Sequence, residues 1–479
     1  MADSEIERLR DSIDQAWDEA RNFGLDPFPT HFELVPAAIM YEFASYSLPG
    51  RFSHWTHGKA YHRQKMQYDF GLSKIYEMVV NTNPSYAFLM EMNNLLQNTF
   101  VAAHVFGHTD FFKNNAYFQH TSRRMIDKVS IHAERIASYE FDHGKAEVER
   151  FLDAVLSIQE HVDYNLFIRD DEPDEKEEKS VTQVTSEYDD LWGLERKAKK
   201  AEEEREKRLG KPPKFPEKPE KDILQFLMLH APHLEPWQRD IIEIVRSEML
   251  YFVPQMQTKI MNEGWASLWH SRIMRSLGDT GVISDSETVE FAQLHSSVLS
   301  PSQTSLNPYY LGFKMFEDIE RRWNNPTKEE QERLGRQSEM GKLKIFEVRE
   351  LDNDVSFLRN YLTEDLVKEL DLYLYRKEGD EWVIVEKDWE KVRDGIVASL
   401  TNFGNPYLVI DNGDYRGNSE LYIKHLFEGQ ELDLVYAERT LQYVFQLWGR
   451  PVHLETVYED KRILVSYDGE RNTKSTLEK

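Results

Sequence analysis

Two histidines four residues apart, His104 and His108, stand in the stretch AAHVFGHTDFFKNN (102–115). On an α-helix this spacing places both imidazoles on one face, where they can bind a single metal ion. The same face includes Val101 and Phe111, so we expect it to be buried, and an unsatisfied polar group there costs about 1–3 kcal/mol. A pair of core histidines satisfied by carboxylates or carbonyl groups is the alternative, which the spacing alone favours.

The position after the first histidine separates this motif from zinc hydrolases of the H-E-x-x-H type, in which a glutamate serves as the general base. Val105 stands there, so a standard metalloprotease assignment fails at its catalytic base. A third ligand must therefore come from elsewhere in the chain. Glu263 is the best candidate, because it interrupts the otherwise apolar and aromatic helical stretch KIMNEGWASLWH (259–270), where an unpaired carboxylate would be costly.

His270 follows Glu263 by seven residues and shares its helical face. The two lie about 10.5 Å apart along the axis at 1.5 Å per residue, so they are not expected to bind one ion together. We therefore predict that His270 supports the site from outside the coordination sphere or faces a substrate.

Glu134, in the stretch HAERI (132–136), is a further candidate, either as a fourth ligand or as the missing base. Residues 132 and 134 are about 200° apart around a helix, so only one of His132 and Glu134 can face the cluster. An ion pair with a nearby arginine is the alternative for Glu134. His54 and His57 are predicted to lie in a loop, where polar groups often carry function.

The sequence lacks the motifs of nucleotide binding and of serine hydrolases. There is no phosphate-binding loop of the Walker type, no G-x-G-x-x-G after a strand and no G-x-S-x-G nucleophile elbow. The cofactor prediction is a divalent ion, namely zinc, manganese or iron, with no nucleotide, flavin or haem.

Composition narrows the class of protein. The 479 residues include 59 Lys and Arg against 85 Asp and Glu, a net charge of −26, which argues against binding nucleic acid. Forty per cent hydrophobic residues suffice for a folded core, and the absence of cysteine excludes disulfides and thiolate metal sites. The charged amphipathic start does not read as a signal peptide, and no apolar run would span a bilayer. We expect a cytoplasmic protein with no membrane span.

The predicted fold class is multidomain α+β. A large, mainly α-helical N-terminal domain at 1–330 precedes a smaller α+β domain at 343–479 with a mainly antiparallel sheet. A polar linker at 331–342 joins them. The segment 170–221, with its charge runs and the proline-rich end GKPPKFPEKPEK, is predicted to be a mobile insertion in the helical domain.

Periodicity places individual elements within this plan. Tyr61–Val80 and Ser85–Phe112 are predicted to be helical runs separated by Asn83-Pro84. In the C-terminal part, strand-like runs at Leu372–Arg376 and Trp382–Glu386 predict a hairpin. Further strands are expected at Tyr407–Ile410, Glu420–Phe427, Val452–Tyr458 and Arg462–Tyr467, with helices at Trp389–Phe403 and Ala437–Trp448.

Several of these stretches, taken in order, resemble the stage V sporulation protein R family, the SpoVR/YcgB-like proteins. They are RFSHWTHGK (51–59), LSKIYEMVVNTNPSYAFLME (72–91), AAHVFGHTDFFKNN (102–115), ERIASYE (134–140) and KIMNEGWASLWHSRIM (259–274), with LGFKMFEDIERRW (311–323) and the α+β tail as later blocks. The resemblance covers nearly the whole chain apart from the charged insertion. It implies a role in forming the spore cortex, a modified peptidoglycan, and supplies no catalytic residues.

Two functions follow as hypotheses. The first is a cytosolic regulatory or assembly factor for the spore cortex or cell envelope. The resemblance implies protein partners in that synthesis, among them a serine protein kinase and a von Willebrand-type protein. The second is a metal-dependent, zincin-like hydrolase acting on amide bonds of a cell-wall precursor or peptide. It would use His104, His108 and Glu263 as ligands, with Glu134 and His270 as catalytic residues.

Overall fold

The computed structural model describes residues 3–69, 77–165, 214–301, 306–378 and 381–477 of the chain. The region before residue 405 is mostly helical with two small sheets, and residues 406–476 form a strand-rich α+β region, which confirms the predicted fold class. In the part of the chain described, no helix is both long and apolar enough to cross a membrane.

The helices of the described residues follow one another in chain order. They are α1 (Asp3–Asn22), α2 (Ala37–Tyr46), α3 (Trp55–Asp69), α4 (Leu95–Asn114), α5 (Met125–His143), α6 (Lys145–Leu156), α7 (Ile223–His230), α8 (Pro236–Gln257), α9 (Lys259–Asp279), α10 (Asp285–Val298), α11 (Pro308–Asn324), α12 (Lys328–Leu334), α13 (Gly341–Leu351), α14 (Asp354–Tyr361), α15 (Glu364–Glu369), α16 (Trp389–Leu400) and α17 (Leu434–Trp448). Short 3₁₀ turns lie at Ala116–Phe118 and Thr401–Gly404.

The strands form three separate sheets. They are β1 (Thr30–Val35), β2 (Glu77–Val80), β3 (Ser85–Met90), β4 (Leu374–Glu378), β5 (Glu381–Glu386), β6 (Leu408–Tyr415), β7 (Glu420–His425), β8 (Val452–Tyr458), β9 (Lys461–Tyr467) and β10 (Asn472–Thr476). The strand orders are β1-β3-β2, β4-β5 and β10-β9-β8-β7-β6.

The chain divides into two compact units that differ from the predicted domains. The first comprises residues 1–142 and 251–404, and the second comprises residues 143–250 and 405–479. Residues 343–404 therefore group with the helical part and not with the C-terminal sheet. The physical reason is apolar burial, because Ile345, Val348 and Phe357 are fully buried in the main core of the first unit. The predicted linker also carries structure, since α12 and α13 extend into it.

Helix α9 is the centre of the first unit and packs between α4 and α11. Glycines make this approach possible: a Cβ added to Gly107 of α4 would lie 2.6 Å from Cα of Ala266. A Cβ added to Gly264 of α9 would collide with the backbone of Gly312 in α11. The helix backbones are thus nearly in contact, and no side chain separates them at these crossings.

Two buried aspartates fix the position of α9. Asp110 of α4 accepts a hydrogen bond from Trp265 Nε1 at 2.8 Å and another from the backbone N–H of Asp26 at 2.8 Å. Asp354 of α14 accepts the backbone N–H groups of Ile260 and Met261, each at 2.9 Å. Those two donors lie in the first turn of α9, where N–H groups have no partner within the helix. The carboxylate of a distant helix therefore caps α9.

The first small sheet corrects two helix predictions. Residues 77–80 and 85–90 were expected to continue helices, but they form β2 and β3, which pair antiparallel with Glu77 opposite Leu89. Short apolar runs fit a strand as well as a buried helix, and the turn at Asn83-Pro84 joins these two as a hairpin. β1 pairs with β3 in parallel. The loop predicted around His57 is also wrong, because α3 begins at Trp55.

The C-terminal sheet largely follows the prediction. The predicted hairpin is confirmed as β4–β5, although it forms a sheet of its own within the first unit. In the five-stranded sheet β7 and β8 are parallel, joined across α17, while the other neighbours are antiparallel, so the sheet is mixed. β10 was not predicted.

Most of the predicted insertion, residues 170–213, lies outside the described residues, but its end, residues 214–221, does not. The backbone N–H of Gly413 donates to the carbonyl of Phe215 at 2.6 Å, and Glu220 and Ile410 exchange backbone hydrogen bonds. Residues 214–221 are thus part of the second unit.

The helix crossing yields a stability prediction. We expect Gly264→Ala to destabilise the protein by about 2 kcal/mol or more, because the added methyl group has no space against Gly312 and overpacking forces the backbones apart. Gly58→Ala is the matched control, since Gly58 is an exposed residue of α3 with open space around it. There the substitution is expected to stabilise by about 0.5–1 kcal/mol. Thermal denaturation followed by circular dichroism measures both, and equal melting temperatures would contradict the packing argument.

Candidate metal centre

His104 and His108 lie in the middle of α4, a helix buried on nearly all sides. The helix begins with a capping box in which Gln97 N donates to Asn94 Oδ1 at 2.8 Å and Asn94 N donates to Gln97 Oε1 at 3.1 Å. The two imidazoles are each 4% exposed, and their ring centroids are 4.6 Å apart. One face of α4 thus presents two histidines inside the core, as the spacing predicts.

Two glutamates from different elements meet these histidines. Glu263 of α9 places Oε2 3.7 Å from His104 Nε2 and 3.4 Å from His108 Nε2. Glu77, the first residue of β2, places Oε1 3.3 Å from His104 Nε2 and 3.5 Å from His108 Nε2. Glu77, His104 and His108 offer donor atoms that all lie within 4.8 Å of one another, so they can surround one ion.

The distances fit a shared cation better than direct hydrogen bonds. An N–H···O bond is about 2.7–3.2 Å long, whereas two ligand atoms about 2.1 Å from a tetrahedral ion lie about 3.4 Å apart. All four histidine–carboxylate distances fall between 3.3 and 3.7 Å. Glu263 Oε2 is moreover buried without a hydrogen-bond partner. Imidazole and carboxylate donors are the set that zinc accepts in proteins, so the residues present fit such an ion.

The outward nitrogens of both imidazoles are engaged. His108 Nδ1 lies 2.9 Å from Asn262 Oδ1, so this nitrogen must carry the proton and donate to the amide oxygen. His104 Nδ1 lies 2.8 Å from His270 Nδ1, and His270 Nε2 lies 2.8 Å from His295 Nδ1. The Nε2 atoms are left for the carboxylates. Partners of this kind fix the orientation of metal-binding histidines.

Contacts between the histidines and the glutamates shift the pKa values of His108 and Glu263 in the direction opposite to that favoured by burial. Burial disfavours a charged His108, but its contacts with Glu263 and Glu77 outweigh that effect and raise its pKa to about 10. Burial would also favour a neutral Glu263, yet the two histidines hold the pKa of its carboxyl far below the usual range. The carboxylate of Glu263, followed by burial and the carboxylate of Glu77, raises the pKa of Tyr309. The Tyr309 ring stacks on His104, with centroids 6.0 Å apart.

The structure brings together the three predicted ligands, His104, His108 and Glu263, from helices about 155 residues apart in sequence. Glu134 does not join them: α5 buries His132 and exposes Glu134. His270 is fully buried behind His104, so it contacts a ligand and does not face a substrate. That these residues bind a metal stays a prediction.

Sequence reasoning missed Glu77, Asn262, His295 and Tyr309. Glu77 was overlooked because its segment was assigned to a helix; a carboxylate directly before the apolar run MVV was the available signal. Asn262 stands beside Glu263 and could have been examined as its neighbour. His295 and Tyr309 carry no local signal, because only the tertiary fold places them against His270 and His104.

Fold and site together define an α+β protein with a buried cluster of histidines and glutamates. Residues 3–405 match the family described as "SpoVR like protein", and residues 406–459 match "SpoVR-like C-terminal domain". The chain therefore belongs to the SpoVR-like family, which confirms the resemblance. The uncharacterized protein YcgB of Escherichia coli strain K12 is 31% identical over 468 residues, covering 93% of this chain and 91% of that relative. No solved structure matches the chain.

The first prediction at the site separates Glu263 from Glu134. We expect Glu263→Gln to lower zinc affinity by about tenfold or more, because it removes a charged donor that faces both imidazoles. Glu134→Gln is the matched control and should bind zinc like the wild type, since its side chain is exposed. Competition with a chromophoric chelator, on protein without an affinity tag, measures both. Equal affinities would remove Glu263 from the ligand set.

The second prediction concerns pH. With a pKa of about 10, His108 is protonated at neutral pH in the metal-free protein, and a metal must displace that proton. Zinc binding should therefore release at least one proton at pH 7, and its affinity should rise about tenfold per pH unit up to the histidine pKa. Calorimetry in two buffers with different heats of ionisation measures the released protons. A heat that does not depend on the buffer would contradict this protonation state.

Proposed function

We propose that the protein is a metal-dependent hydrolase that cleaves amide bonds. One observation supports this most. Because His108 donates its Nδ1–H to Asn262, a neutral His108 would point a bare Nε2 lone pair at two carboxylates, Glu77 and Glu263. Only a positive charge between these groups, a proton or a metal ion, makes the arrangement favourable. Two histidines and a carboxylate are a known ligand set of catalytic zinc in proteins.

In this proposal His104, His108 and Glu263 hold the ion. They come from α4 and α9, whose close packing gives them fixed positions. A bound zinc ion would supply Lewis acidity and lower the pKa of its water to about 7. Glu77 comes from a different element, the start of β2, and its side chain is 19% exposed. We assign it the part of general base that Val105 cannot play.

The proposed reaction is hydrolysis. The oxygen of water bonds to the amide carbon, the carbon–nitrogen bond breaks, and Glu77 carries the proton from the water to the leaving nitrogen. Tyr309 is half-buried. Its hydroxyl interacts with Glu263, and its raised pKa keeps it protonated as a hydrogen-bond donor.

The charge balance of the metal-loaded site favours a substrate group that carries no charge. Two carboxylates balance one divalent ion, so the loaded site offers no excess positive charge for a phosphate. An amide of a peptide or of a cell-wall precursor suits it. A role in spore-cortex formation, and a serine protein kinase and a von Willebrand-type protein as partners, remain proposals that rest on the family resemblance.

Substitution of Glu77 tests the assignment. We expect Glu77→Gln to retain stoichiometric zinc and to lose hydrolysis by a factor of about 100 or more, because the amide cannot accept the proton. Zinc-loaded protein is incubated with a panel of short peptides and peptidoglycan-derived peptides, and new amino groups are measured. The metal-free wild type and Glu134→Gln serve as inactive and active controls.

Two results would contradict the proposal. Loss of zinc from Glu77→Gln, with zinc retained in Glu263→Gln, would reverse the two roles. A wild type that binds zinc but cleaves no member of the panel would point to a structural ion. The protein would then act as a regulatory or assembly factor, which is the alternative function.

A further inference from the structure

Three imidazoles form a continuous hydrogen-bonded chain behind the cluster. His104 Nδ1 lies 2.8 Å from His270 Nδ1, and His270 Nε2 lies 2.8 Å from His295 Nδ1. His104 and His270 are buried, whereas His295 on α10 is only partly buried. The chain thus runs from the candidate metal centre towards the surface of the first unit.

A metal on His104 would fix the proton positions along this chain. A neutral imidazole has one N–H donor and one acceptor nitrogen. With the ion on Nε2, His104 must carry its proton on Nδ1 and donate to His270 Nδ1. His270 must then carry its proton on Nε2 and donate to His295 Nδ1. Each ring has a single possible tautomer, so the acceptor on His295 sets the orientation of both inner rings.

Packing keeps the three rings in this order. Phe100 lies against His270 with ring centroids 4.5 Å apart, and Phe291 lies 5.7 Å from His295. On its other side His295 contacts Phe313 of α11 at 5.5 Å. These aromatic side chains hold His270 and His295 in contact with each other.

We propose that His295 is a positioning residue of the metal centre, acting through His270 on the ligand His104. The inference rests on the proposed metal centre but not on its hydrolytic activity. Partners one step from a metal ligand typically affect affinity by about 10- to 100-fold. His295 lies two steps away and acts only because its Nδ1 is the acceptor that His270 requires.

A pair of variants with nearly the same shape tests this role. Asparagine can present Oδ1 near the position of the histidine Nδ1, whereas leucine has a methyl group there. We expect His295→Leu to weaken zinc binding by about tenfold and His295→Asn to stay within about twofold of the wild type. His31→Leu is a control, because His31 is exposed on β1, away from the chain of imidazoles.

Cobalt(II) in place of zinc provides a readout that a loss of stability would not change. At saturating cobalt, His295→Leu should shift the visible absorption bands, because His104 changes its orientation, while His295→Asn and His31→Leu should match the wild type. Equal affinities and spectra for the leucine and asparagine variants would overturn the proposal, since the acceptor would then have no effect.

A double-mutant cycle tests the path through His270. In a His270→Gln background, His295→Leu should add less than about a twofold loss of affinity, because the chain is already broken. A further tenfold loss would show that His295 acts independently. If His270→Gln does not fold, the comparison of His295→Leu with His295→Asn tests the proposal by itself. A wild type that binds no zinc contradicts the metal centre itself, which distinguishes that failure from failure of the positioning role.

Discussion

The close approach of α9 to α4 and α11 is the constraint on which the rest of the first unit depends. At Gly107, Gly264 and Gly312 the helix backbones come so near that a methyl group would not fit. Gly107 stands between the two histidines of α4, and Gly264 directly follows Glu263. The contact that builds the core therefore also sets the distance between the carboxylate and the imidazoles. A larger side chain at either crossing would push the helices apart and move Glu263 away from the histidines.

Burying this many polar groups is costly unless each has a partner. The two nitrogens of each imidazole, His104 and His108, have different kinds of partner. Outward nitrogens are satisfied by neutral groups, Asn262 for His108 and the chain through His270 for His104. Among the residues that the structure describes, the inward nitrogens face the carboxylates of Glu77 and Glu263, at distances too long for good hydrogen bonds. Negative charge is thus concentrated at one point in the core, and a divalent cation compensates it more completely than a single proton can.

The histidine pair and Glu263 could be predicted because the buried face of a helix is normally apolar, and each of these residues places a polar group on such a face. Glu77 could not, because the strand that positions it was mistaken for a helix, and the short run MVV is compatible with either. The compact units differ from the predicted domains for a related reason. A polar stretch near residue 335 resembles a linker, but the apolar residues after it, such as Ile345 and Val348, are buried in the helical core. Long-range packing carries that information, and periodicity does not.

The position of Val105 shows why the general base must come from outside the helix. In an H-E-x-x-H helix the base lies one residue after the first histidine, so that flank of the helix needs room for a charged side chain. Here α4 is enclosed on nearly every side, and Val105 is completely buried in the apolar core. A carboxylate at that position would be desolvated without a partner. A strand that begins beside the histidines solves the problem differently, because Glu77 reaches the Nε2 atoms while part of its side chain remains exposed to solvent.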